Sequence, residues 1–338
     1  MNDEVLCSIT HLEDLPDELF LTIFAYVPVQ TLYHGFRNIN QRLNSILASV
    51  RLSARVEVSE DRNQLLMTAI QHFAPQIISL YIALWCQELD LTQFRRLQSL
   101  YFLRPTFIQL IAIQPEHLPD LRMLSIKYAT PLKYDYIDDF YRLLISNRFT
   151  QLRSVRQDGA DLRLEHYVVE NKYLYSLSIG SCELQHWPDL LKTLPALCQF
   201  TTTIFYLTPS IAVTTSFQHM ALHYLNVVLD EYYHVINDLE QVLWFTPVLS
   251  HLAVRCTHAL SPIDFFDLYY MFTKRTPRLE HFQCRFNIVI RKNETITEVD
   301  HIRQISPLFA TIHYKQHETC NWIRIVATEP IMNEYRSE

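Results

Sequence analysis

From residue 77 onward one short apolar pattern, L-x-x-L-x-[apolar], recurs along the chain. It reads IISLYI from Ile77, LQSLYF from Leu97, LRMLSI from Leu121, LYSLSI from Leu174, LHYLNV from Leu222, LSHLAV from Leu249 and LEHFQC from Leu279. Weaker copies, LRSVRQ and LCQFTT, start at Leu152 and Leu197. Successive starts lie roughly 20 to 31 residues apart, a range that covers the repeats of solenoid proteins and slightly exceeds it. Each copy places a few apolar side chains at alternate positions, as a strand does, and these are too few to make a core alone. Neighbouring copies must stack to complete it. The pattern therefore predicts parallel strands centred near Leu80, Leu100, Leu124, Leu177, Leu225, Leu252 and Phe282, lining one face of a solenoid.

Between the strands, stretches such as Ile137 to Leu144 and Ile263 to Phe272 return apolar residues every three or four positions, the period of a helix. They suit the convex side. Pro75, Pro119, Pro195, Pro247 and Pro277 stand just before the strands, where a residue that cannot continue a helix ends it and turns the chain. The run VRLSARVEV from Val50 to Val58 alternates like a strand and reads as the first, capping rung.

The amino-terminal segment HLEDLPDELFLTIFAYVPVQTLYHGFRNINQRLNSIL has a different period. Pro16 fits the first helical position, and Asp17 and Glu18 place negative charge at the positive end of the helix dipole. Leu19, Phe20, Ile23, Phe24 and Val27 then form one apolar stripe that stops at Pro28. A second stripe runs through Leu32, Phe36, Ile39, Leu43, Ile46 and Val50, giving two or three short helices in all. So small a helical pair cannot bury both stripes internally, and a further surface must cover the rest.

Leu15-Pro16, Asp17-Glu18, Leu19, Ile23-Phe24 and Leu32 resemble the first part of an F-box, which opens on a Leu-Pro pair followed by an acidic turn and an apolar helix. The second part departs from the family: Ile39-Asn40 stands where Val-Ser is usual and Leu43 where Trp is usual. The repeats resemble the degenerate leucine-rich repeats that follow an F-box in many substrate receptors, although the Asn that usually closes the strand-to-loop turn is missing from nearly every copy. The resemblance implies an α/β chain with an F-box at residues 9–50 and a leucine-rich-repeat-like solenoid at 51–338. It implies binding of a Skp-type adaptor, and through it cullin, at Leu15, Pro16, Leu19, Ile23, Phe24 and Leu32. The chain would then be a substrate adaptor in the ubiquitin pathway, cytoplasmic or nuclear. The alternative is an interaction scaffold with no role in ubiquitination, in which the helices merely cap the repeats.

Composition narrows the function classes. Hydrophobic residues make up 49% and charged residues 19%, as in a folded protein. The net charge of -7, without a dense Lys/Arg run, argues against nucleic acid or a membrane surface as partner. The amino terminus carries acids where a secretory signal carries bases, and no apolar run approaches the ~18 residues of a membrane span. Seven scattered cysteines with no CxxC pair point to a reducing compartment. Three glycines, Gly35, Gly159 and Gly180, leave no phosphate-cradling loop and no G-x-S-x-G elbow. An enzyme, a metal or a cofactor is therefore not expected.

Two constellations fall short of a chemical site. His313, His317 and Cys320 have a spacing that would gather them on a helix, but a structural zinc site wants a fourth ligand. Asp135, Asp138 and Asp139 open a predicted helix, where acids are favoured electrostatically. The remaining candidates follow from strand alternation, which turns Ser79, Tyr81, Ser99, Tyr101, Met123, Ser125 and Lys127, and later His251, Arg255, His281, Gln283 and Arg285, away from the core. Of these, Tyr81, Tyr101, Lys127, His251, Arg255, His281 and Arg285 are the candidate contacts to a protein target, Tyr and Arg being enriched at binding hot spots.

Overall fold

A computed structural model describes residues 15–56, 63–83, 89–128, 135–158, 161–162, 170–204, 217–229, 235–260, 264–289, 297–316 and 322–327. Within these, the side chains of 63, 135–139, 161–162, 235, 257–260, 287–289, 297–299, 314–316 and 322–327 lie outside the description. So do Cys7, Cys86, Gly159, His317, Cys320 and the carboxylates of Asp135, Asp138 and Asp139. The protein is α/β, with mostly parallel strands and helices between them, and it divides into two compact units, Met1–Ser125 and Ile126–Glu338.

The first unit opens with three short helices, α1 (Asp17–Tyr26), α2 (Val29–Gly35) and α3 (Gln41–Ser49). The sequence sets their ends. Pro16 and Pro28 precede α1 and α2 in extended conformation, and Asn40 caps α3 by accepting a hydrogen bond from the Leu43 amide at 2.8 Å. Asn38, at φ 62°, makes the turn between α2 and α3, a conformation Asn tolerates better than most residues. The second apolar stripe is thus split over two helices. Leu32, Leu43, Ile46 and Val50 are buried, while Ile39 beside the turn is exposed.

There follow β1 (Leu52–Val56), α4 (Asn63–Phe73), β2 (Ile77–Ala83), β3 (Ser99–Leu103), α5 (Phe107–Ala112) and β4 (Met123–Lys127), inside which the unit boundary falls. Strands β1, β2 and β3 pair in parallel, and β4 neighbours β3. β1 lies within the run 50–58 read as the first rung, of which residues 57 and 58 lie outside the described residues. α4 precedes the first copy of the repeat, and Ala69, Ile70 and Phe73, all buried, supply its inner face.

The second unit holds α6 (Asp135–Ile145), β5 (Ser154–Asp158), the short β6 (Asp161–Leu162), β7 (Ser176–Cys182), α7 (Trp187–Thr193), β8 (Gln199–Ile204) and β9 (Tyr224–Leu229). It continues with α8 (Val235–Trp244), β10 (His251–Leu260), α9 (Asp264–Arg275), β11 (His281–Val289), α10 (Thr297–Ile305), β12 (Ile312–Gln316) and β13 (Trp322–Ala327). Strand order is β5-β7-β8-β9-β10-β11-β13-β12, with β6 beside β7. Every pair up to β11 is parallel. Both weaker copies, at Leu152 and Leu197, lead into strands of this sheet.

The end of the array departs from expectation. β12 and β13 run antiparallel to each other, and β13 antiparallel to β11, so a hairpin occupies the edge that β11 would otherwise present to another chain. His313 therefore lies on a strand, not on the helix that would have gathered it with His317 and Cys320.

One turn is used again and again. The amides of Leu97, Leu121, Leu152, Leu197, Leu249 and Leu279 each donate to the carbonyl three residues earlier, at 2.9 to 3.4 Å. Pro119, Pro195, Pro247 and Pro277 occupy the second position of four of these turns, where their fixed φ is already correct and no N–H is required. At the start of several strands, two consecutive amides converge on one carbonyl of the preceding rung. Cys198 and Gln199 donate to the Tyr175 carbonyl, His223 and Tyr224 to Cys198, Ser250 and His251 to His223, and Glu280 and His281 to Ser250, all at 2.8 to 3.1 Å. The sequence repeat is thus a backbone repeat, and this chemistry needs no conserved Asn in every copy.

In two rungs a buried polar side chain reinforces the turn. Asn171 donates from Nδ2 to the Ser146 carbonyl at 2.9 Å, and its Oδ1 accepts from the amides of Tyr173 and Leu174. Its own amide donates to the Thr193 carbonyl. His219 has the same role two rungs later: Nε2 lies 2.9 Å from the Leu194 carbonyl, Nδ1 accepts from the Ala221 amide, and the backbone amide donates to the Phe245 carbonyl. Below the sheet, Trp187 packs on Phe200, and Phe272 on Phe282, edge-on or tilted.

Burial, the larger cause, pushes the His219 imidazole below its ordinary 6.5, and the bond to Leu194 opposes this only in part. Because the folded chain holds this proton more weakly than the unfolded chain, the stability that neutral His219 contributes is complete above pH ~6.5 and is lost as the pH falls towards the folded pKa. A urea titration series over this window should show that loss. His219→Asn, which keeps an N–H donor for the Leu194 carbonyl without a titrating proton, should flatten the acid-side slope.

Candidate functional site

The amino-terminal helices separate the two halves of the α1 stripe. Phe20 and Phe24 point inward, their rings 5.4 Å apart, and Phe24 packs on Phe36 at 4.9 Å. Leu19 and Ile23 lie on the other side and are 48% and 43% exposed, with Tyr26 beyond them at 87%. Pro16 is exposed and Leu15 half-buried. Leu15, Pro16, Leu19 and Ile23 therefore form one outward apolar edge. Phe24 and Leu32 do not belong to it: both are fully buried, and their side chains serve the interior of the helical module.

The edge is held in place from α3. The Arg42 guanidinium donates through Nε and Nη2 to Asp17 Oδ1, at 2.9 and 2.6 Å, and from Nη2 to the Leu15 carbonyl at 2.6 Å. Both partners are substantially exposed, so the ion pair itself stabilises little. Its consequence is geometric, since with the bond to Leu15 it ties the Leu15-Pro16 corner to a residue 27 positions away in sequence.

On the sheet of the first unit, Leu80, Ile82, Leu100 and Phe102 are buried, and Ser79, Tyr81, Ser99 and Tyr101 face outward as alternation requires. Tyr81 and Tyr101 are in register on β2 and β3, and their rings stack at 4.5 Å and 8°. Arg55, in register on β1, lies over the Tyr81 ring at 4.6 Å and extends the stack to three groups. The alternation of VRLSARV places Arg55 in the outward row, beside the two tyrosines that the repeat itself marks. Tyr101→Ala should expose one face of Tyr81 and cost about 1 kcal/mol of stability, a loss that chemical denaturation would resolve.

The outward residues of the second unit also align. Tyr224, His251 and His281 share one row across β9, β10 and β11, with the two imidazoles stacked at 4.3 Å and 26°. Ser250 Oγ lies 2.9 Å from His251 Nδ1. Four residues farther along the strands, Arg255 and Arg285 stand in register, and both are exposed. Lys127, on β4, is exposed as well. The candidate target-binding residues thus fall into separate clusters: Tyr81 and Tyr101 in the first unit, and Lys127, the His pair and the Arg pair in the second.

Among the described residues no group of three or more His, Cys, Asp or Glu side chains is placed to hold a metal ion. No helix among them is long and apolar enough to cross a membrane. Cys182 and Cys256 are buried, and desolvation pushes the Cys182 thiol far above its ordinary range, so it is a poor nucleophile. The chain matches no protein-family model and no curated protein.

Proposed function

We propose that this chain is an F-box-type adaptor, with its amino-terminal helices docking on a Skp-type subunit of a ubiquitin ligase and a leucine-rich-repeat-like array holding the protein to be modified. The observation that carries this reading is the outward edge Leu15, Pro16, Leu19 and Ile23. A helix that only capped the repeats would turn its aliphatic residues inward, because nothing offsets leaving them in water. Here the aromatic half of α1 closes the module and the aliphatic half stays exposed, on the residues that resemble the docking part of an F-box.

The departures at Ile39, Asn40 and Leu43 are accommodated without loss of the helical module. Asn40 supplies the α3 cap and Leu43 is buried, while Ile39 is exposed and adds apolar surface. The reading needs no catalytic group in this chain; its role is to bring two proteins together. Mixing the purified full chain with a purified Skp-type subunit on a size-exclusion column tests it. Co-elution as a complex is expected, and separate elution at concentrations well above micromolar would refute the docking role.

A further inference from the structure

Helix α9 is apolar on two sides. Phe265, Leu268, Met271 and Phe272 are buried, with Phe265 edge-on to Phe286 and Phe272 against Phe282, both on β11. The other side carries Phe266, Tyr269 and Tyr270, which are 56%, 41% and 67% exposed. Thr273, also exposed, completes a stripe at the i, i+3, i+4 and i+7 positions of the helix surface. A helix that is apolar on both faces is ordinarily covered on both, and adjacent exposed aromatic rings are the kind of surface that protein partners bury.

Charge selects the partner. Asp267 and Lys274 are exposed and stand seven residues apart, about two turns, so they flank the stripe on the same side. Lys274 Nζ lies 5.7 Å from the centre of the Tyr270 ring, close beside the stripe. The helix dipole accounts for an acid in the first turn and a base in the last, but not for exposed aromatic rings along the same face. In a parallel helix pair this flank would meet the opposite flank of its neighbour, where Tyr269 stands. In an antiparallel pair each flank meets its own copy, and a two-fold axis beside Tyr270 sets Asp267 of each helix opposite Lys274 of the other.

We infer that α9 is a self-association surface, through which two copies of this chain pair antiparallel on Phe266, Tyr270 and Thr273, with Asp267 of each copy against Lys274 of the other. One helix pair covers less than the ~1,200 Å² of a standard interface, so the dimer is a weak one that forms in the micromolar range. It is independent of docking through α1.

Sedimentation velocity of the full chain across the micromolar range tests it. The unaltered chain should pass from monomer to dimer, and Tyr270→Ala should weaken the dimer about tenfold or more. Asp267→Lys and Lys274→Asp should each weaken it about tenfold when alone, because each sets like charges opposite one another twice per dimer. Mixed together, these two single variants should dimerise again, and one chain with both changes should associate as the unaltered chain does. Tyr270→Ala decides the matter if a charge variant does not fold. Leu19→Ala with Ile23→Ala should leave the dimer as it is, which separates pairing through α9 from pairing through the α1 edge. A chain that stays monomeric at several hundred micromolar, a dimer that folded Tyr270→Ala leaves unchanged, or folded single charge variants that fail to pair with each other would overturn the inference.

Discussion

Replacing Leu19 and Ile23 together by Ala should weaken binding to a Skp-type subunit by roughly 30- to 150-fold while leaving thermal stability almost unchanged. The size follows from exposure. Each side chain leaves somewhat less than half of its surface in water, so only that part remains for a partner to cover. At about 25 cal/mol per Å² the two truncations together remove about 2 to 3 kcal/mol of interface contact. The same changes inside a core would each cost about 2 to 5 kcal/mol of folding stability. Phe24→Ala provides the contrast: its ring is fully buried against Phe20 and Phe36, and its loss should cost the first unit about 3 to 5 kcal/mol. Calorimetric titration and thermal melting of the two variants separate these outcomes.

The second large effect is expected at Asn171. Its fully buried side chain satisfies three backbone groups: the Ser146 carbonyl and the amides of Tyr173 and Leu174. Asn171→Ala leaves all three without that partner, and at roughly 1 to 3 kcal/mol for each buried unsatisfied group the loss should reach about 3 to 5 kcal/mol. Asn171→Asp should be almost as costly, since it removes the donor to Ser146 and buries a charge. Denaturant unfolding followed in the second unit should show both, and a loss below about 1 kcal/mol would mean that the turn is held by its backbone bonds alone.

The strands were the most legible part of the fold. L-x-x-L-x-[apolar] encodes a buried, alternating row directly, so even the weak copies at Leu152 and Leu197 fall on real strands. The Tyr81–Tyr101 stack was legible for the same reason, because equal positions in adjacent copies must be neighbours when copies stack in register. The hairpin of β12 and β13 was not legible. Its residues carry no copy of the repeat, and what fixes their direction is pairing with β11, a long-range contact no local pattern records. The split of α1 was half legible. Leu19, Phe20, Ile23 and Phe24 mark a helix with a wide apolar face, but which flank is buried depends on the aromatic packing of Phe24 on Phe36. His219 was not legible as a turn residue because no position of the repeat marks it, yet its two ring nitrogens supply a donor and an acceptor as Asn171 does in its own rung.

Hydrogen exchange of the full chain with and without a Skp-type subunit tests the central claim most directly, because it reports both that docking occurs and where. The account predicts slowed exchange in Asp17–Tyr26 and at the start of α3, where Arg42 holds the Leu15-Pro16 corner, with β10 and β11 unaffected. Exchange in α1 that is identical with and without the Skp-type subunit would contradict it.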